Sequence, residues 1–197
     1  MSEKKIKRKV IRIAMLGDST VGKTSIVNTF LNIEFTEEKV QTVGNERMET
    51  KMKMKDGNNL KIIIWDTAGQ ERFHSISTNS IKTSQGVCLC FDLTSKKTFQ
   101  NAEVWLKDIR ENNNTIPIAL FGNKIDLIND RVVSEEEAKE FANKNGLDYF
   151  ETSAKSNINI KEGFAKLAEL AYEKVGGAQG MELKKNSNKK ENSKKGC

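Results

Sequence analysis

Val10-Ile-Arg-Ile-Ala-Met-Leu16, running straight into Gly17-Asp-Ser-Thr-Val-Gly22-Lys23-Thr24, is the stretch on which the fold turns. The apolar run reads as a buried strand, and the eight residues after it match G-x-x-x-x-G-K-[ST] in full. In the order strand, glycine loop, helix, this is a phosphate-binding unit rather than a plain glycine-rich turn. Its glycines allow successive backbone N–H groups, from Asp18, Ser19, Thr20, Val21 and Gly22 through Ser25, to point inward around phosphate oxygens. The partial positive charge of a helix N-terminus adds to them. Lys23 reaches the β- and γ-phosphates, and the Thr24 hydroxyl is a candidate ligand for Mg²⁺.

Outward from this unit, strand and helix patterns alternate. Met48, Thr50, Met52 and Met54 alternate with charged residues at period two, Asp56-Gly57-Asn58-Asn59 turns, and Leu60–Trp65 returns, so 46–65 reads as a hairpin. The methionine row is expected to face the core. Gly86–Leu93, Ile116–Phe121 and Asp148–Glu151 are further strands, separated by helical patterns at 97–112, 134–145 and 158–175. Ser134-Glu-Glu-Glu137 starts the middle helix as a capping box, and Gly146 closes it. The fold class expected is α/β, with a mostly parallel six-stranded sheet, one antiparallel strand and about five flanking helices. Ligands of such sheets bind outside the carboxyl ends of the strands.

Two more motifs fall at those ends. Trp65-Asp66-Thr67-Ala68-Gly69-Gln70 places the Asp66 carboxylate where a Mg²⁺ on the first loop needs one. It also offers the Gly69 N–H to a terminal phosphate and Gln70 to an attacking water. An Asx turn is the bland alternative for this segment on its own. Asn123-Lys124-Ile125-Asp126 follows another strand. A carboxylate at Asp126 accepts from both N1–H and the 2-amino group of guanine, a donor pair that adenine lacks. Lys124 can lie over the purine, and Asn123 can tie this loop to the first. Ser153-Ala154-Lys155 closes the base pocket through a backbone N–H.

The 197 residues suffice for one domain with its own core and short tails. The net charge of +6 belongs to the ends: residues 1–9 carry +4, residues 176–197 another +4, and 10–175 sum to −2. A slightly acidic domain argues against a nucleic-acid-binding plate, and a binder using the basic ends is the rival that steep salt dependence would reveal. Cys88 and Cys90 lie in an apolar run and read as small core residues, in a reducing compartment. Val10–Leu16 is too short for a secretory signal, and Ser2 is not a myristoylation glycine. The expected location is the cytoplasm. The low-apolar stretch from Gly176 is expected to be a disordered tail.

GDSTVGKT, WDTAGQERF, NKID and ETSAK, standing in this order, resemble the Ras superfamily of small GTPases, and within it the Rab family most. The resemblance covers about residues 8–175. It implies a Ras-like G domain over 10–175 that binds GTP and GDP with Mg²⁺ and hydrolyses GTP slowly as a monomeric switch in vesicle-mediated transport. Thr42, in Gln41-Thr42-Val43-Gly44, takes the place of the mobile threonine that ligates Mg²⁺ and senses the γ-phosphate, alongside Thr24 and Asp66. Phe35 looks like the aromatic at the guanine edge. Lys23, Thr42 and Gln70 form the implied catalytic set, with 35–45 and 67–80 as the segments ordered by GTP. An exchange factor, a GTPase-activating protein and effectors are the implied partners. Cys197 after lysine pairs is similar to a prenylated terminus holding the chain at an intracellular membrane face, although a single cysteine and the ending Lys-Lys-Gly-Cys depart from the usual form. An unmodified tail is the alternative. Two of three aromatics in the family's effector patch are replaced, by Arg47 and Ser80, leaving Trp65. His74 reads as a solvated surface residue. A GTP-binding scaffold with negligible hydrolysis, or a signalling GTPase outside membrane traffic, are the other readings.

Overall fold

The computed structural model describes residues 10–36, 45–54, 57, 59–67 and 74–175. Strand β1 (Val10–Leu16) lies at the centre of a six-stranded sheet. On one side of it are β3 (Asn59–Thr67) and then β2 (Asn45–Lys53); on the other are β4 (Gly86–Asp92), β5 (Ile118–Asn123) and β6 (Asp148–Thr152). All neighbours pair in parallel except β2 with β3, where Met48 faces Ile64 and Met52 faces Leu60 across an antiparallel ladder.

Alternation along each strand supplies two cores. From β1, Ile11, Ile13 and Met15 point to one face, with Cys88, Cys90 and Phe121; there they meet α1 (Lys23–Phe30) and the helix α5 over 160–175. Phe164 stacks on Phe30 at 4.1 Å and meets Phe121 edge-on at 5.7 Å, locking both helices to the sheet. Met48, Met52 and Met54 are half-buried against this same core, as their spacing predicts. Ala14, Leu16, Val87, Leu89 and Phe91 line the opposite face, covered by α3 (Lys96–Asn112) and α4 (Glu135–Asn145) and by Ile81 of α2 (His74–Thr83). β4 and β5 are buried at every residue, which is why their sequences read as near-continuous apolar runs, whereas the edge strand β2 alternates half-buried and exposed residues. Among the described residues no helix is long and apolar enough to cross a membrane.

The α4 boundaries follow their sequence signals: Ser134 Oγ accepts from the Glu137 N–H at 3.1 Å, and Gly146 ends the helix at φ 65°. Helix α2 was not among the expected elements. Its sequence, His-Ser-Ile-Ser-Thr-Asn-Ser-Ile-Lys-Thr, is rich in residues that compete with the helix for backbone hydrogen bonds. It forms against the sheet, where Ile81 is 1% exposed.

β1 is also the point where the strand order reverses, since the chain leaves it toward β3 and returns on its other side at β4. In register, Met15 lies opposite Asp66 of β3, Asp92 opposite Asn123, and Asn123 opposite Thr152. The carboxyl ends of five strands thus converge on one crevice.

Candidate functional site

The loop between β1 and α1 is shaped by two glycines that nothing else could replace. Gly17, at φ 129°, has its Cα so close to β4 that a Cβ would stand 2.1 Å from the Cys90 carbonyl oxygen. Gly22, at φ 97°, leaves no room either: a Cβ would meet Asn123 Nδ2 at 2.3 Å. Between them Thr20 adopts φ 64°, a left-handed conformation that costs a β-branched residue about 1–2 kcal/mol. Gly22 is the N-cap of α1 and brings no side-chain cap. The first-turn N–H groups of Lys23, Thr24 and Ser25 point along the helix axis toward the crevice.

Lys23 is only 6% exposed, and its ammonium donates to the Gly17 and Asp18 carbonyls at 2.9 and 2.7 Å. Burial holds its pKa below the usual lysine value, against the opposing pull of Cys90, Asp66 and Asp18. A cation is thus held by two loop carbonyl oxygens beside the N-terminus of α1. Beside it the Thr24 hydroxyl donates to Asp66 Oδ2 at 2.5 Å. Asp66 itself is fully buried, and the next residue fixes the strand end, with Thr67 Oγ1 donating to the Met15 carbonyl at 2.6 Å. Adjacent hydroxyl and carboxylate oxygens are the hard donors that Mg²⁺ takes, so these residues fit that ion.

The second half of the site comes from β5 and β6. Asn123, 2% exposed, donates through Nδ2 to the Val21 carbonyl at 2.9 Å, joining the two loops. Its Oδ1 accepts from Thr152 Oγ1 and the Ala154 N–H, both at 3.3 Å. Lys124 stands at φ 72° with its ammonium paired to Asp92. Ser153 Oγ donates to Asp126 Oδ1 at 2.6 Å while accepting from the Ser156 N–H at 2.8 Å. Thr29 of α1 donates to the Ala154 carbonyl at 2.8 Å. A groove of about 290 Å³ lined by Thr29, Phe35, Ala154 and Lys155 opens beside them, and Phe35 packs half-buried against the core. Thr42, Gly69, Gln70 and Cys197 lie outside the described residues, as do the side chain of His74 and the two basic ends.

Of the described residues singled out for nucleotide or metal binding, these contacts bring together Lys23, Thr24 and Asp66 at one end and Val21, Asn123, Asp126, Ser153 and Ala154 at the other. Several that help to build the crevice were missed. Thr29 and Thr152 act through partners far away in sequence, and Asp92 pairs with Lys124 while its Oδ1 accepts from the N–H and hydroxyl of Thr94. Arg131 grips Glu151 with both terminal nitrogens, Tyr149 Oη donates to the same carboxylate at 3.0 Å, and Arg131 Nε donates to the Val133 carbonyl at 2.7 Å. That bidentate pair ties the end of β6 to the loop after Asp126. Glu151 stands in the quoted ETSAK, but nothing local marks its partner. Arg47 is exposed on the edge strand and donates to Glu49 at 2.8 Å, whereas Ser80 is 4% exposed. Of the two changed patch positions, only Arg47 presents a new side chain to solvent.

The comparisons with known proteins agree with this geometry. Residues 12–173 match the Ras family. Ras-related protein Rab-10 of Diplobatis ommata is 38% identical over 169 residues, covering 84% of this chain and 83% of that protein. Ras-related protein Rab-13 of Bos taurus is 37% identical over 183 residues, 91% of this chain and 87% of its own. Ras-related protein RGP2 of Oryza sativa subsp. japonica is 37% identical, covering 83% and 75%. The chain belongs to the Ras family of small GTPases, enzymes that convert GTP and water to GDP and phosphate.

Proposed function

We propose that this GTPase is a Rab-like switch in vesicle-mediated transport, alternating between GTP- and GDP-bound forms at an intracellular membrane face. The observation that carries the nucleotide chemistry is the convergence of Lys23, the Thr24–Asp66 pair, Asn123 and the Asp126–Ser153 pair at one crevice. The likeness to Rab-10 and Rab-13 supports the traffic role.

Backbone N–H groups of residues 18–24 and the Lys23 ammonium hold the phosphates. Asp126 accepts from guanine, with Ser153 fixing the carboxylate's orientation, and the Lys124 stem covers the purine. Thr24, Thr42 and Asp66 would hold Mg²⁺, which when bound neutralises charge on the β- and γ-phosphate oxygens. Gln70 orients the attacking water, and Thr42 and Gly69 sense the γ-phosphate, so its loss releases 35–45 and 67–80. Unassisted turnover is expected on the order of 10⁻⁴ to 10⁻² per second.

Gln70→Leu tests this directly. The leucine cannot orient water, and single-turnover phosphate release should fall by about tenfold or more while GTP binding persists. Unchanged release would remove Gln70 from the mechanism and favour a scaffold. For the membrane, the two signals are a lipid on Cys197 and the six lysines of residues 176–197. A tagged chain should mark one membrane, and Cys197→Ser should return it to the cytosol. A Cys197→Ser chain still on the membrane would refute the lipid anchor.

A further inference from the structure

A carboxylate in a phosphate loop, such as that of Asp18, would face the phosphates with like charge if it turned inward. The structure turns it outward. Its Oδ2 accepts from Asn101 Nδ2 at 2.7 Å, and its Oδ1 accepts from Trp105 Nε1 at 2.8 Å. Both donors lie on α3, one helical turn apart, so their side chains present themselves together on one face. Trp105 is 6% exposed and packs in the core beneath α3, which makes it a rigid donor. The main chain of the same aspartate faces the other way, its carbonyl accepting from Lys23 Nζ at 2.7 Å. Asp18 is thus a joint between the phosphate-facing lysine and helix α3.

Two other anchors hold this loop. One is the close approach of Gly17 to the Cys90 carbonyl, and the other is the bond from Asn123 to the Val21 carbonyl. The third, from α3, falls between them, on Asp18 two residues before the left-handed Thr20. A loop holding a β-branched residue at φ 64° tends to relax unless its flanks are fixed.

We infer that Asn101 and Trp105 are positioning residues for the nucleotide. By holding the Asp18 carboxylate outside the loop, they keep the N–H cradle open and the negative charge away from the phosphates. Helix α3 thereby sets how long a nucleotide stays bound. This rests on the reading of the loop as a guanine-nucleotide site.

The test uses the full chain loaded with a fluorescently labelled GDP and chased with unlabelled GDP. Trp105→Phe keeps the ring and removes its N–H; Asn101→Ala removes the other donor. Each should speed release by about 10- to 100-fold, the worth of a hydrogen bond to a charged group. In an Asp18→Ala background, where no carboxylate remains to be freed, adding Trp105→Phe should change release by less than about twofold. Release at the wild-type rate in both single variants would overturn the inference. So would an equal acceleration by Trp105→Phe with and without Asp18, since that is the signature of packing alone. If Trp105→Phe does not fold, Asn101→Ala and its double with Asp18→Ala decide the matter in the same way. Failure of the wild-type chain to bind the labelled GDP would instead refute the nucleotide site itself.

Discussion

Asp126→Ala is expected to lower the affinity for GTP by about 10³-fold or more and to erase the preference for GTP over ATP. The guanine N1–H and 2-amino donors would lose their acceptor on entering a partly closed pocket, and an unpaired buried donor costs about 1–3 kcal/mol each. Removing the carboxylate also frees Ser153 Oγ, which donates to Asp126 at 2.6 Å, so the loop that closes the base pocket loses a tie. The adenine nucleotide, which never used this acceptor, should be little affected. Titrations with fluorescent GTP and ATP analogues measure both effects at once. A variant that still prefers GTP by the wild-type ratio would show that Asp126 does not read the base.

Lys23→Ala should weaken GTP binding by at least about 100-fold, because charge-assisted bonds to the phosphates vanish and the loop's carbonyl oxygens are left facing them. Its effect on the empty protein has the opposite sense. Burial depresses the Lys23 pKa from 10.5, so the charged form is disfavoured on folding. With the folded-state value below the unfolded one, that penalty is present at neutral pH and fades as pH rises toward 10.5. Alanine carries no such charge, so the variant should melt at or near the wild-type temperature while binding GTP weakly. The same shift makes binding pH-dependent: phosphates favour the ammonium, so above the depressed pKa each nucleotide bound takes up a proton and affinity falls. A parallel fall in Lys23→Ala, measured by titration calorimetry in two buffers of different ionisation heat, would assign the proton to another group.

Lys23 and Asp126 can both be singled out in the sequence, each for its own reason. Lys23 was readable because the constraint is local: a strand, a tight glycine loop and a helix N-terminus lie within fifteen residues, Val10 to Thr24. Asp126 was readable because its motif follows a strand whose carboxyl end, in any sheet of this kind, faces the same crevice. The methionine row, the Ser134 and Gly146 boundaries and the core cysteines were legible for the same reason, since period, cap and burial are written in neighbouring residues.

Helix α2 was not, because its polar, hydroxyl-rich sequence has weak helix propensity, and the docking of Ile81 decides the outcome. Nor were the residues that stiffen the crevice. Asn101 and Trp105 lie 83 and 87 positions from Asp18, and Arg131 meets Glu151 across 20. No periodicity links such partners. From residues alone follow the succession of strands and helices and the motifs at the strand ends, because both rest on short-range patterns. The orientation of the Asp18 carboxylate and the burial of Lys23 arise only when the sheet brings distant strand ends and α3 together. Hydrogen bonds between remote elements depend on that packing and have no signature before it exists.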